Sequence, residues 1–241
     1  VALAAAIALA GTLTTCGHPM PPTSTAAPVG GDATGTSAAS TEPAGTFGEL
    51  GQVCGPGTPS PSKARGVTDS EIRIGVLNDA DNTVVPGLGH QYLEVAQAFA
   101  KWCNAAGGIG GRKLVIHNRS TQLFNAAAAV LDACQSDFML VGGGAAFDAP
   151  TVEPRTGCGL GAIPASNPAH DSQVAPLQAI IGRTSDTEAN IGLFRLLDGR
   201  YHDAFEKIGI LAIDTPDLRI PYERLRRVLD AEGWKVTSFQ A

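Results

Sequence analysis

The chain has 241 residues, a formal net charge of −6 at pH 7 and a hydrophobic fraction of 44%. That length accommodates one large or two small domains with an ordinary core, and the acidic balance argues against nucleic acid, whose phosphates call for a basic stripe. No apolar run reaches the ~18 residues that a membrane-spanning helix requires.

In chain order, residues 1–13 form an apolar stretch with no preceding Met or basic segment, and read as the core of a signal peptide. Leu13-Thr14-Thr15-Cys16 resembles a bacterial lipobox, in which Cys16 is acylated and becomes the new N-terminus; Thr15 departs from the Gly, Ala or Ser usual at that place. Residues 1–16 are assigned as a signal remnant, and the chain as a fragment of a longer reading frame. Residues 17–65 are rich in Pro, Gly, Ser, Thr and Ala with few large apolar side chains. Such a composition buries too little surface to offset ordering entropy, which predicts a flexible stalk.

From Val67 onward, strand and helix patterns alternate. Thr68-Asp69-Ser70 is turn-like and Ile72-Arg73-Ile74-Gly75-Val76-Leu77 is a strand. Tyr92, Val95, Ala96, Phe99 and Cys103 recur at helical spacing. Gly107-Gly108-Ile109-Gly110-Gly111 then closes that helix, with Ile109 expected to fold back on it. Leu114-Val115-Ile116 is the second strand, 124–134 an alanine-rich helix, and Phe138-Met139-Leu140-Val141 the third strand, running into Gly142-Gly143-Gly144. A short helix over 149–156 and the strand Ala162-Ile163-Pro164 follow, then the apolar run Ala179-Ile180-Ile181. The pattern next predicts a helix over 186–197, a long buried strand over 208–213, a helix with Pro221 near its start, and a last strand over 234–239.

Strands separated by helices imply an α/β fold with an open, doubly wound parallel sheet. Ligands of such sheets bind outside the carboxyl ends of the strands, so the loops 78–86, 142–148, 165–171 and 214–217 lie on a functional rim. Cys103, Cys134 and Cys158 fall on the opposite rim. Setting Cys16 aside leaves Cys54, Cys103, Cys134 and Cys158, an even number suited to an oxidising compartment. Three pairings are open. The helices ending at Cys134 and preceding Cys158 should share one sheet face, with Cys54 and Cys103 on the other, which favours 54–103 and 134–158.

Four segments carry a family resemblance: Gly66-Val67-Thr68-Asp69-Ser70-Glu71-Ile72-Arg73-Ile74-Gly75-Val76; Lys101-Trp102-Cys103-Asn104 with Gly107-Gly108-Ile109-Gly110-Gly111-Arg112; Ala162-Ile163-Pro164-Ala165 after Cys158; and the stretch from Ile208 to Tyr222. In this order they resemble the type I periplasmic-binding-protein family, the substrate-binding components of branched-chain amino acid and amide ABC importers. The resemblance covers about 66–241 and implies two α/β lobes that close on a ligand, an amino-terminal lobe over 66–200 and an incomplete second lobe over 201–241. It implies an exported, lipid-anchored, non-enzymatic protein that captures a small polar solute and delivers it to permease subunits, with no cofactor or metal. A ligand-sensing lipoprotein of the same fold is the alternative that the sequence leaves open.

The resemblance also places the ligand. Backbone N–H groups after the third strand would hold a carboxylate at Gly143, Gly144, Ala145 and Ala146, although the Ser or Thr hydroxyls usual there are missing; the glycines would equally allow close backbone packing. Ser166 and Asn167, stiffened by Pro168, match a second ligand loop. Asp186 or Glu188 matches an acid for an ammonium group, or a helix cap. Tyr222 is placed to stack on ligand or to pack on its own helix. Asn78, Asp79, Asp81 and Asn82 in the first loop read as turn formers. An enzyme of Rossmann type would need G-x-G-x-x-G after the first strand, where Asn78-Asp79-Ala80-Asp81 stands. His18, His90, His117, His170 and His202 have no metal-ligand spacing.

Overall fold

The computed structural model describes residues 44–181 and 190–240. The signal and lipobox residues, Cys16 among them, the stalk up to 43, and Asp186 and Glu188 lie outside the described residues. Elements in order are β1 (Glu71–Asn78), α1 (His90–Ala105), β2 (Lys113–Ser120), α2 (Ala126–Ser136), β3 (Met139–Val141), α3 (Val152–Gly157), β4 (Gly161–Ile163), α4 (His170–Val174), α5 (Gly192–Phe205), β5 (Ile208–Leu211), α6 (Pro216–Ala231) and β6 (Val236–Gln240). Among the described residues no helix is long and apolar enough to cross a membrane.

The first four strands form one parallel sheet in the order β2-β1-β3-β4, and β5 pairs with β6, also in parallel. Ile72 stands beside Leu114, Ile74 beside Met139, and Leu140 beside Ala162. Side chains alternate across the sheet, so Ile72, Ile74 and Ile116 meet α1 through Ala100 and Cys103. Leu77 and Leu140 meet α2 on the other face through Ala129, Val130 and Ala133. The two disulfides follow this division: Cys54–Cys103 sits on the α1 face and Cys134–Cys158 beside α2. Two disulfides fit an oxidising, extracytoplasmic compartment. On the α1 face the packing leaves an apolar groove of about 590 Å³ lined by Phe99, Ile109, Phe138 and Met139 among others, and Ile109 is exposed on it.

The glycine turn explains itself on contact. Gly107, Gly108, Gly110 and Gly111 all have positive φ. A Cβ on Gly108 would lie 2.0 Å from the Arg112 carbonyl oxygen, and one on Gly111 2.3 Å from that of Gly57. Asn104 locks the turn from the helix side: its amide donates to Leu114 O (2.9 Å) and its oxygen accepts from Leu114 N (2.8 Å).

Composition assigns residues 44–65 to the stalk, but they are held against the first sheet. Cys54 is buried and cross-linked, Gly55 N donates to Gly108 O, and Arg112 donates to the carbonyls of Ser60 and Thr68. Phe47 packs edge-on against Trp102 (5.9 Å between centroids), and Arg65 donates to the carbonyls of Asp137 and Cys158. Polar loop composition is compatible with order when a covalent bond and backbone hydrogen bonds replace an apolar core.

Further along, three expectations change. α5 runs to Phe205 rather than ending near Leu197, and although the sequence places it in the 66–200 lobe, its Phe194 and Phe205 share a core with Leu225, Leu229 and Trp234. The apolar run at 179–181 is anchored beside β4, where Ala179 N donates to Ala162 O. The strand expected over 208–213 is only Ile208–Leu211, alternately half-buried and exposed, because the core of α5, α6 and Trp234 covers only the face that carries Ile208 and Ile210. Pro216 opens α6, so Pro221 lies inside the helix, past the positions where a missing N–H is harmless.

Candidate functional site

A cleft of about 170 Å³ opens at the carboxyl ends of β1, β3 and β4, against the start of α1. It is lined by Asp79, Gln91 and Tyr92, by Gly144, Ala145 and Ala146, and by Ser166 and Pro168. The structure thus brings together four of the sequence-derived ligand positions: Gly144, Ala145, Ala146 and Ser166. Gly143 and Asn167 lie just behind, on a smaller cavity of about 40 Å³ that also touches Arg155 and Ser172. Tyr222 lies in a separate cleft with Arg219, Arg226 and Phe239, where its hydroxyl accepts from Ile213 N (3.3 Å).

The residue that organises this rim is Asp79, which sequence reasoning treats as a turn former. It directly follows β1 and is only 2% exposed. One carboxylate oxygen accepts from the Thr121 hydroxyl and from Leu123 N (2.7 Å); the other accepts from Ala146 N (2.7 Å). Asp79 therefore ties the loops after β1, β2 and β3 into one unit. It also supports an uncommon backbone, since Gln122 and Leu123 both have positive φ without being glycine. Asn82 does form the expected turn, accepting from the N–H groups of Val84 and Val85. Asn78 is buried and donates to Asn118 Oδ1 (2.7 Å), while Asp81 accepts from Asn118 at 3.4 Å.

The loop after β3 is tight. A Cβ on Gly143 would lie 2.4 Å from Leu77 backbone atoms, and one on Gly144 2.6 Å from Ser166 O. Gly144 N donates to Leu77 O (2.9 Å) and Ala146 N to Asp79. Two of the backbone donors that an anion would use are thus already engaged. Among the N–H groups of 144–146, only that of Ala145 makes no hydrogen bond, and Ser166, Tyr92 and Gln91 are the other lining residues able to donate. No basic side chain lines it among the described residues. The second loop is held from beneath: Gln173 Nε2 donates to the carbonyls of Asn167 and Pro168, and Asp148 accepts from Ala169 N (2.9 Å).

The clamp has a second effect on the rim. Phe124 and Phe147 each follow a residue whose N–H is bonded to Asp79, and their rings stack at 5.4 Å with a 10° interplanar angle. Phe124 is 75% exposed, on the same rim as the cleft but outside its lining. Long-range pairing of this kind leaves no local sequence signal. The sequence counts Phe124 into the helix over 124–134, and only Phe147 falls in a loop after a strand; α2 in fact begins at Ala126.

Away from the cleft, a buried ionic cluster braces the sheet. Asp137, fully buried, accepts from Arg119 Nε and Nη2 (both 2.7 Å) and pairs with His117 Nδ1 (2.5 Å). Burial alone would push its carboxyl up, but the bonds and charges of Arg119 and His117 hold it below the ordinary carboxylate value. Among the described residues no group of three His, Cys, Asp or Glu side chains is placed to hold a metal ion.

No protein-family model matches the chain, and no curated protein matches it. Among solved structures it is similar to a substrate-binding periplasmic protein from Ralstonia solanacearum (16% identity, TM-score 0.57, 70% of this chain and 49% of that one). It is also similar to a fatty acid ABC transporter substrate-binding protein from Thermomonospora curvata (19%, 0.55, 74% and 46%). A third is a branched-chain amino acid transporter substrate-binding protein from Streptococcus pneumoniae, solved with isoleucine (18%, 0.52, 71% and 49%). The chain spans about half the length of each of these structures. At such identities the likeness speaks for the fold: the chain has the type I periplasmic-binding-protein fold shared by these ABC-transporter substrate-binding proteins, and contains about half of it.

Proposed function

We propose that the protein is an extracytoplasmic solute-binding protein that captures a small polar metabolite and passes it to an ABC importer. The observation that carries this reading is the cleft at the carboxyl ends of β1, β3 and β4, on a fold whose solved neighbours are substrate-binding proteins. Branched-chain amino acids, amides and urea-like solutes form the shortlist. The site residues proposed are Gly144, Ala145, Ala146 and Ser166 at the cleft, Gly143 and Asn167 supporting them, and Asp186 and Tyr222 as further ligand residues. Residues 1–16 are proposed as signal and lipobox, with Cys16 as lipid anchor and the chain that follows as tether. The amino-terminal lobe is proposed to end ahead of α5, whose Phe194 and Phe205 pack with α6 and Trp234.

A thermal-shift screen of the full chain against amino acids, amides and sugars tests the binding role. A ligand at ~100 times its Kd that binds only the folded state adds about 2.7 kcal/mol. A shift for one chemical class supports solute capture; no shift across the panel rejects it. Co-purification with permease subunits distinguishes import from ligand sensing.

A further inference from the structure

We propose that the cleft takes a small organic cation, an ammonium or amidinium group, with Asp79 as its counter-charge, and disfavours a free carboxylate; this rests on the solute-binding reading above. Three observations lead there. Asp79 is a buried acid that lines the cleft, bonded by three neutral donors and by no cationic partner among the described residues. The oxygen bonded by Ala146 N accepts no second donor among the described residues, which leaves lone-pair capacity for a ligand donor.

The second observation is the state of the expected anion cradle. Gly144 N and Ala146 N are spent on Leu77 O and Asp79, and alanine stands where a hydroxyl could have helped. An entering carboxylate would meet one free backbone donor at Ala145, no basic side chain, and a like charge. Like charges at close quarters in a partly desolvated site are strongly unfavourable. The third is the stacked Phe124–Phe147 pair on the same rim, whose exposed face suits an organic cation. Donors consumed, an acid left without a cation and an exposed aromatic pair on the same rim all select the same sign of charge.

The test is calorimetric titration of the full chain with four probes of similar shape: isoamylamine, isovaleramide, isovalerate and leucine. The expected result is that the amine binds at least about tenfold more tightly than the acid, with the amide between. Asp79→Asn should bring amine and acid to within about twofold. That change also disturbs the loop clamp, so Gln91→Lys, an exposed change that leaves the clamp intact, provides a second arm and should shift preference toward the acid. Equal or tighter binding of isovalerate by the unaltered chain overturns the inference and leaves solute capture standing. So does an amine preference that survives both substitutions. Failure of all four probes together with the wider amide and sugar panel overturns the solute-binding reading itself.

Discussion

Ile74-Gly75-Val76-Leu77 in β1 and Ile208-Gly209-Ile210-Leu211 in β5 are nearly the same sequence, yet they meet different fates. In β1 the last three of these residues are buried; in β5 they alternate between half-buried and exposed, with Leu211 83% exposed. β1 has strands on both sides and helices on both faces, while β5 has β6 on one side. A parallel strand is written as a continuous apolar run because its neighbours cover it everywhere. The run alone does not confer burial. The first sheet further owes its solidity to covalent bridges and a buried ion cluster, neither of which the β5–β6 region has among the described residues.

The sharpest way to break this comparison is to reduce the disulfides. In the chain-entropy account, closing loops of 49 and 24 residues stabilises by about 4 and about 3.5 kcal/mol respectively. The chain has two tryptophans, and Trp102 packs by the Cys54–Cys103 bridge while Trp234 lies in the second core. Thermal melts of Trp234→Phe and Trp102→Phe, with and without reductant, should therefore show a large shift for the first reporter and little for the second.

Next in size is Arg119→Met, which strips the buried Asp137 of its principal partner and should cost about 3–5 kcal/mol. The pH dependence follows from the same group. Its folded pKa lies below the ordinary 3.8, so its stabilisation is present above that value and is lost as pH falls through the lowered one. Acid unfolding of the first sheet, followed by circular dichroism, should begin below about pH 4 and move to higher pH in the variant. Leu160→Ala, at a fully buried position, should cost about 2–5 kcal/mol, whereas Leu211→Ala should change stability by less than about 0.5 kcal/mol in urea titrations. Phe124→Ala, which removes one ring of the exposed stack, should cost about 0.5–1.5 kcal/mol of ligand affinity or loop stability.

The parts legible in sequence were those encoded within a few residues of one another. The glycine turn, the strand at 72–77 and the helix through Cys103 each carry their own geometric reason. The disulfide pairing followed because crossover handedness assigns helices to faces before any contact is known. Asp79 shows where such reading ends: its partners lie 42, 44 and 67 positions away, and nothing near it distinguishes a turn former from a hub. Residues 44–65 misled in the other direction, since a loose composition hid the anchors supplied by Cys54, Gly55 and Arg65.

The clasp between residues 54–57 and the glycine turn also decides how force enters the molecule. Tension applied to the chain ahead of Cys54 is carried by a covalent bond into the end of α1, and by backbone hydrogen bonds into the turn before β2. Both points lie on the rim opposite the cleft. A pull or a thermal tug on the preceding segment is therefore absorbed at the base of the sheet, and the loops that Asp79 gathers at the top need not deform in response.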